Sequence, residues 1–187
     1  MRGRHAQGPE SAVGREPARS AERGRGRQQQ DTVSLHEPLE AAIAAARTGS
    51  AERRTIIEYR APDLPVQVFG DAGALQQLFL NLLLNATEAA GEDGRVDVAL
   101  TLEQDDAVID IRDNGPGIPD ELRQRVFDPL FTTRREGTGL GLVIAERIAR
   151  AHGGSIELTG APGGGTTARV RLPRVAPAVT SPTANRL

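Results

Sequence analysis

The leucine-rich stretch LQQLFLNLLLNATEAAG, residues 75–91, constrains the fold of this chain more than any other feature. Its apolar side chains recur at the spacing of one helix face, namely at Leu75, Leu78, Leu82 and Ala86. Asp71 is a suitable N-cap and Gly91 a suitable C-terminal stop, so we predict one long helix that ends near Ala90. A helix with such a stripe needs another layer to pack against.

The other predicted elements are mostly strands. Segments that alternate apolar and polar residues are typical of half-buried strands. We predict a helix at 35–47, strands at 55–60, 66–69, 95–102 and 107–113, a helix at 140–151, and strands at 154–158 and 166–172. Strands grouped between helices favour an α/β fold, a two-layer sandwich in which one mixed β-sheet carries helices packed on one face.

Composition divides the chain into three parts. Residues 1–30 are rich in Arg, Gly and Gln and poor in large apolar side chains, so we expect them to be disordered. The Pro/Ala/Thr-rich tail at 174–187 carries the same expectation, which leaves one domain at 31–173. No cysteine is present, which excludes disulfides and thiolate metal sites. Since no apolar run suits a membrane span or a secretory leader, we expect a soluble cytoplasmic protein.

The charge of the chain is unevenly distributed. Residues 1–30 contain seven Arg and three Glu, a net charge of +4, and the remainder carries −6 because the total is −2. The Arg-rich segment has no aromatic residue on which a base could stack, and the rest is acidic. We therefore expect no nucleic acid partner.

Three glycines at alternate positions, Gly137, Gly139 and Gly141, lie at the start of the predicted helix at 140–151. A dinucleotide-binding fingerprint is excluded because residue 142 is Leu and the residues before the loop do not predict a strand. A lysine-containing phosphate loop is excluded because the chain has no lysine. Two interpretations stay open: a flexible loop that caps a helix, or an anion site at the helix N-terminus.

The long helix also carries a polar face. Asn81, Asn85 and Glu88 follow one another at intervals of four and three residues, so they share one side of the helix. Asparagine is a mediocre helix former, and amide oxygens suit a hard cation such as Mg²⁺. The alternative is a pair of solvated or helix-packing asparagines.

The segment AVIDIRDNGPGIP, residues 107–119, ends a predicted strand with a carboxylate. Alternation places Asp113 on the inward face, where it needs donors such as the exocyclic amine of adenine. The alternative is that Asp-Asn-Gly simply forms a turn. Gly115 and Gly117 permit unusual backbone angles or the close approach of a flat ring. Thr166 lies on the inward face of the last strand and is either a partner for Asp113 or a threonine bonded to its own backbone.

Five motifs in one order, NLLLNATEA, DNGPGIP, VFDPLFTTR, GTGLGL and GGGTTARVRLP, resemble a known pattern. It is that of the ATP-binding catalytic domain of two-component sensor histidine kinases, of the superfamily that includes gyrase and the 90-kDa heat-shock chaperone. The resemblance covers nearly all of residues 32–173 and is closest to the nitrogen-regulation type. It implies the Bergerat ATP-binding fold, with ATP and Mg²⁺ as cofactors.

The resemblance also implies roles for individual residues. Asp113 binds the adenine amine with support from Thr166, and Gly115 and Gly117 shape the adenine pocket. Asn85 is the Mg²⁺ ligand, and the other residues implied at the phosphates are Asn81 and Arg134. The lid is implied to use Phe127, Phe131, Gly137, Thr138, Gly139, Leu140 and Gly141.

The sequence departs from the family pattern at three positions. The resemblance implies a glutamate general base, one helical turn before the metal-binding asparagine, in the members of this fold that hydrolyse ATP. This chain has Asn81 at that position, and an asparagine cannot accept a proton from water. Phosphoryl transfer is therefore favoured over hydrolysis. Arg134 stands where lysine is frequent, so it keeps the cation but presents a planar fork. Glu88 replaces a residue that is often basic or aromatic.

A phosphoacceptor hairpin is not recognisable in the sequence. His36 lies too close to the ATP-binding motifs to be the acceptor, and the residues before it do not predict helices. His152 is expected to cap the end of the preceding helix. We therefore expect a monomeric catalytic domain whose partners are a separate histidine-bearing helical hairpin domain and the receiver domain of a response regulator.

The expected activity is transfer of the γ-phosphate of Mg·ATP to a histidine on that hairpin. Three alternatives stay open. They are a serine kinase of the anti-sigma-factor type, a nucleotide-binding regulatory module without transfer activity, and a gyrase-like ATPase.

Overall fold

The computed structural model describes residues 31–122, 125–128, 130–131, 139–161 and 163–175. The three helices are α1 (His36–Gly49), α2 (Ala72–Ala90) and α3 (Gly141–Ala151). The strands are β1 (Asp31–Ser34), β2 (Ile56–Arg60), β3 (Gln67–Gly70), β4 (Arg95–Glu103), β5 (Asp106–Asp113), β6 (Ser155–Gly160) and β7 (Thr166–Pro173). Short 3₁₀ turns lie at Ala51–Arg53, Asp120–Leu122 and Arg125–Phe127.

Five of the strands form one mixed sheet in the order β2-β4-β5-β7-β6. β2 runs parallel to β4, and every other neighbouring pair is antiparallel. The three helices cover one face of this sheet, with α2 lying between α1 and α3 and above β4 and β5. The predicted two-layer α/β sandwich is confirmed.

α2 begins and ends where its flanking residues predict. The Asp71 carboxylate accepts a hydrogen bond of 2.6 Å from the backbone N–H of Ala74, and Gly91 leaves the helix with a φ of +75°. Because α2 has a helix on each side as well as the sheet below, it buries more than the predicted stripe. Phe79 and Leu83 are fully buried too.

The outer face of the sheet is covered by charged side chains instead of helices. Arg169 forms two hydrogen bonds with Asp110 across β5 and β7, of 2.7 and 2.8 Å, and Arg95 pairs with Glu58 and Asp97. Exposed pairs of this kind contribute little to stability. They keep this face in water, so the apolar core forms on the helical side alone.

β3 is not part of the main sheet, contrary to the expectation of a single sheet. It pairs antiparallel with β1, a strand that the sequence pattern does not predict. Val68 of β3 also bridges to Arg174, and the backbone N–H of Val175 donates to the Gln67 carbonyl at 2.7 Å. Regular hydrogen bonding therefore continues two residues past the domain boundary predicted at 173.

No helix in the described part of the chain is long and apolar enough to cross a membrane.

Candidate functional site

A cavity of about 460 Å³ opens between α2, the start of α3 and the ends of β5 and β7. This volume lies within the range of small-molecule pockets. The predicted site residues that line it are Asn81, Asn85, Asp113, Gly117, Phe131, Gly139, Gly141 and Thr166. Gly115, Phe127 and Leu140 adjoin the cavity without lining it. Arg134, Gly137 and Thr138 lie outside the described residues.

Asp113 forms the polar bottom of the cavity. Strand alternation turns its carboxylate inward, as predicted, and the residue is only 5% exposed. Its Oδ1 accepts hydrogen bonds from the backbone N–H groups of Gly115, at 2.9 Å, and Thr166, at 3.2 Å. Two donors offset part of the cost of burying the charge. Thr166 therefore contacts Asp113 through its main chain, and support from its side chain stays a prediction.

The walls beside Asp113 are apolar. Ile111, Leu158 and Ala168 come from three neighbouring strands and line the cavity with the carboxylate. A flat ring fits between such walls, and a carboxylate among them selects a ring that carries an N–H donor. This end of the cavity is therefore suited to an amino-substituted heterocycle.

Glycines allow the chain to pass close to Asp113. A Cβ added at Gly115 would collide with the carbonyl oxygen of Ala89 in α2. One added at Gly165 would collide with the carbonyl oxygen of Asp113 itself, and both Gly117 and Gly165 have positive φ. Gly165 is not among the predicted site residues, although three consecutive glycines before β7 are a visible signal of such a close approach.

The polar face of α2 supplies two amides to the cavity. Asn81 Oδ1 accepts a long hydrogen bond of 3.4 Å from Gln77. Its Nδ2 is buried and has no hydrogen-bond partner among the described residues, which is costly unless a ligand supplies an acceptor. Asn85, one turn later, lines the same cavity.

The N-terminus of α3 faces these amides. A Cβ added at Gly141 would lie 3.7 Å from Nδ2 of Asn85, so the first residue of α3 lies against this asparagine. Leu140 occupies the N-cap position and makes no side-chain capping hydrogen bond. The first-turn N–H groups have no partners within the helix, and they favour an anion there.

The segment opposite α2 closes the cavity with partly buried apolar side chains. Ile118, Leu122, Val126 and Phe131 line it. Only Phe131 is a predicted member of this set, and the guanidinium of Arg125 lies 4.8 Å from the centre of its ring. Phe127 is half-buried in the adjoining 3₁₀ turn.

An exposed apolar surface adjoins the mouth of the cavity. It consists of Leu130, Leu140 and Ile144, which are 72%, 40% and 40% exposed. Leu130 packs beside Gly139, and Ile144 lies one turn after Leu140 at the start of α3. In α3 the sequence places the apolar Ile144 outside the face that Ala145 and Ala149 bury. The sequence alone does not tell which of these apolar residues stay exposed.

Neither histidine of the described residues lies in the cavity. His36 begins α1, and its Nε2 lies 3.2 Å from the Leu64 carbonyl oxygen. Nδ1 of His152 lies 2.8 Å from the Ile148 carbonyl oxygen, which confirms the predicted cap at the end of α3.

Asp63 is an aspartate that does not line the cavity. It is exposed in the loop between β2 and β3.

The chain is similar in sequence to a known ATPase family and to several sensory histidine kinases. Residues 70–176 match the family described as histidine kinase-, DNA gyrase B- and HSP90-like ATPases. The sensory histidine kinase/phosphatase NtrB of Azospirillum brasilense is 38% identical over 149 residues, which cover 72% of this chain and 37% of that protein. The chain spans less than half the length of the NtrB relatives that it matches.

Solved structures give the same result. The mycobacterial sensor histidine kinase MprB superposes with a TM-score of 0.70 and 31% identity, covering 78% of this chain and 97% of that one. Full-length ShkA, solved in complex with AMPPNP, superposes with a TM-score of 0.69 and 25% identity, covering 79% of this chain and 31% of that one. These similarities confirm the resemblance that the five motifs predict.

Proposed function

Because this chain belongs to the family of histidine kinase-, DNA gyrase B- and HSP90-like ATPases, we propose that its cavity binds Mg·ATP and transfers the γ-phosphate to a histidine of a separate domain. The observation that carries the proposal is the arrangement of the cavity. A buried carboxylate lies at one end, and a buried amide and an open helix N-terminus lie at the other.

The dimensions of the cavity suit ATP. The carbonyl of Ala89 marks the level of Asp113 along α2, because Gly115 packs against it. Asn81 lies eight residues earlier, about 12 Å along the helix. An adenine ring on Asp113 would therefore direct its phosphates along α2 towards Asn85, Asn81 and the start of α3.

Each end then has a defined chemical task. The carboxylate of Asp113 would accept the hydrogen bond of the adenine amine between apolar walls. At the other end, Nδ2 of Asn81 would donate to a phosphate oxygen, and the first N–H groups of α3 would do the same. Mg²⁺, held by the side-chain oxygen of Asn85, would supply positive charge to the phosphates.

Transfer is favoured over hydrolysis because the cavity has an amide where a water-activating base would stand. Asn81 cannot accept a proton from water. The lone pair of a neutral imidazole needs no such base: it attacks the γ-phosphorus, ADP departs with the bridging oxygen, and the other ring nitrogen then releases its proton. The chain contributes position and charge neutralisation, the main terms in phosphoryl transfer.

The acceptor histidine would come from a helical hairpin domain, and a response regulator receiver domain would take the phosphate from it. The NtrB relatives are sensory kinases more than twice as long as the matched segment. The exposed surface of Leu130, Leu140 and Ile144 lies beside the phosphate end, where an incoming hairpin must approach. Since ATP is in the cytoplasm, we expect the reaction there.

Calorimetric titration with ATP, with and without Mg²⁺, tests the nucleotide site. Asp113→Asn keeps the shape of the side chain and removes its charge, and Asp63→Asn is the matched control on an exposed loop. We expect saturable binding that Mg²⁺ strengthens, a loss of at least about tenfold in Asp113→Asn, and no change in the control. Equal affinity of the wild type and Asp113→Asn would refute this site.

A second measurement tests the transfer. The protein is mixed with the hairpin domain of an NtrB relative and labelled ATP, and the product is treated with acid. Phosphohistidine is acid-labile, whereas the phosphoserine expected of an anti-sigma-type kinase is stable. Binding of ATP without transfer to any hairpin would favour the regulatory module instead.

A further inference from the structure

His152 connects the end of α3 to the start of α2. Its Nδ1 lies 2.8 Å from the Ile148 carbonyl oxygen in the last turn of α3. On the other side of the ring, Nε2 lies 3.1 Å from the backbone nitrogen of Asp71, the N-cap of α2. The ring also packs so closely on Gly70 that a Cβ at that residue would collide with it.

The two neighbours determine the protonation state of the ring. A carbonyl oxygen can only accept a hydrogen bond, so Nδ1 must carry the hydrogen. A backbone N–H can only donate, so Nε2 must accept with its lone pair. Both contacts are satisfied together only by the neutral imidazole with its hydrogen on Nδ1.

The contact matters because the fully buried side chains of α3 are small, and its larger apolar side chains, Leu142 and Ile148, are only partly buried. The helices are antiparallel: the end of α3 meets Asp71, and its start meets Asn85. The fully buried residues of α3 are two alanines, Ala145 and Ala149. Small side chains allow close approach but form shallow ridges, so they resist sliding weakly.

We propose that His152 is a positioning residue that sets the register of α3 on α2 and thereby places Gly141 against Asn85. The inference rests on the proposed function, because the start of α3 is the phosphate end of the ATP site. His152 itself lies eleven residues from Gly141, about 16 Å along the helix, and does not touch the nucleotide.

Two variants separate the two hydrogen bonds. Gln reaches about as far as Nε2, so His152→Gln can still accept from the N–H of Asp71. Asn reaches only about as far as Nδ1, so His152→Asn keeps a donor for Ile148 and loses the contact with α2. If the register is what matters, Gln rescues and Asn does not.

The affinities for Mg·ATP and for adenosine are measured by calorimetry for the wild type and both variants. Adenosine contacts the base end alone, so it reports whether the fold and the Asp113 pocket are intact. We expect His152→Asn to weaken Mg·ATP binding about tenfold while adenosine affinity stays unchanged, because a displacement of about 1 Å is costly at a phosphate site. His152→Gln should stay within about threefold of the wild type.

The outcomes distinguish this inference from the function on which it rests. A wild-type chain that binds no ATP refutes the proposed function, and the inference with it. A wild type that binds ATP as tightly as His152→Asn does refutes the inference alone. Equal losses of ATP and adenosine affinity, or a failure of Gln to rescue, would assign His152 to general stability and overturn the positioning role.

Nuclear magnetic resonance of isotope-labelled histidine tests the ring directly, without any substitution. Its nitrogen resonances at neutral pH should show a hydrogen on Nδ1 and a lone pair on Nε2. A doubly protonated ring, or a hydrogen on Nε2, would contradict the bridge even if His152→Asn did not fold.

Discussion

The two walls of the cavity are built differently. On one side α2 and the ends of β5 and β7 belong to the core, and Leu82, Ile111 and Asp113 are all nearly inaccessible to water. On the other side, no described residue between 114 and 140 is fully buried. The first wall is therefore part of the folded core, whereas the described residues of the second wall contribute only partial apolar burial to the stability of the domain.

This difference assigns different roles to the walls. A wall made of core residues is formed before any ligand arrives, so it can select the proposed adenine ring by shape and by the Asp113 carboxylate. A wall with little burial has low local stability and depends on the ligand for contacts. Substitutions on the two sides should thus separate stability, nucleotide affinity and phosphotransfer.

The largest effect is expected at the phosphate end of the core wall. Asn85→Ala removes the proposed Mg²⁺ ligand, so transfer to a supplied hairpin should fall by about a hundredfold or more. Labelled phosphate on the hairpin is the measure. Gln76→Ala, on the same helix but outside the cavity, should transfer phosphate normally. Unimpaired transfer by Asn85→Ala would refute the role of Asn85 as the Mg²⁺ ligand.

Two glycines test the contrast between the walls directly. Gly115→Ala drives a Cβ into the carbonyl of Ala89, so it should cost about 2 kcal/mol of unfolding free energy and also weaken ATP binding. Gly139→Ala brings a Cβ within 2.6 Å of the Leu130 backbone at a φ of +66°. It should weaken ATP binding about tenfold and shift the melting temperature by only about 2 °C.

Gly163→Ala is the control for this pair, because Gly163 has a φ of +83° but open space around it. Gly163→Ala should lower the unfolding free energy only by the cost of a positive φ in a residue with a side chain, and it should leave the ATP affinity unchanged. Equal losses of stability in Gly115→Ala and Gly139→Ala would mean that both walls belong to one cooperative unit.

The exposed apolar surface should affect transfer but not binding. Ile144→Glu places a charge where we expect the hairpin to dock, so transfer should fall about tenfold at an unchanged ATP affinity. Ile56→Glu is the control, since Ile56 is an isoleucine on the edge strand β2 that is also exposed, at 58% against 40% for Ile144. If both variants transfer alike, the hairpin approaches from another side.

Two buried polar atoms give a further test. Asn81 Nδ2 and Tyr59 Oη both lack a hydrogen-bond partner among the described residues. Burial, with a smaller contribution from Glu40, raises the pKa of Tyr59 to about 12. Removing an unsatisfied polar atom should stabilise the fold by about 1 kcal/mol in both Asn81→Leu and Tyr59→Phe.

ATP affinity then distinguishes the two atoms. Asn81→Leu should weaken binding about tenfold, because it removes the donor that we propose for a phosphate oxygen. Tyr59→Phe should leave it unchanged, because Tyr59 lies outside the cavity. Thermal unfolding and calorimetry measure both quantities, and a loss of ATP affinity in Tyr59→Phe would contradict the separation.

Sequence reasoning works best where the signal is local. The bounds of α2 follow from Asp71 and Gly91 because capping is a matter of a few adjacent residues. The inward direction of Asp113 and Thr166 follows from strand alternation in the same way. The helix bounds and the two side-chain directions were therefore predictable without knowing which elements pack together.

Prediction fails where distant segments decide the outcome. Nothing local in β3 indicates that it pairs with β1 instead of joining the main sheet, because both pairings satisfy its backbone. Gly165 becomes essential only because the carbonyl of Asp113 passes beside it. Likewise, the exposure of Leu130 and Ile144 depends on how distant segments pack around them.

By itself, the sequence determined most of the elements, the family and the polar residues that line the cavity, since periodicity, caps and motifs depend on neighbouring positions. Only the tertiary structure decided how those residues act together. It brought Asn81 and Asn85 to the start of α3, left Nδ2 of Asn81 without a hydrogen-bond partner among the described residues, and joined α3 to α2 through His152. The physical reason is that burial and hydrogen-bond satisfaction are properties of packed segments, which no single stretch of chain contains.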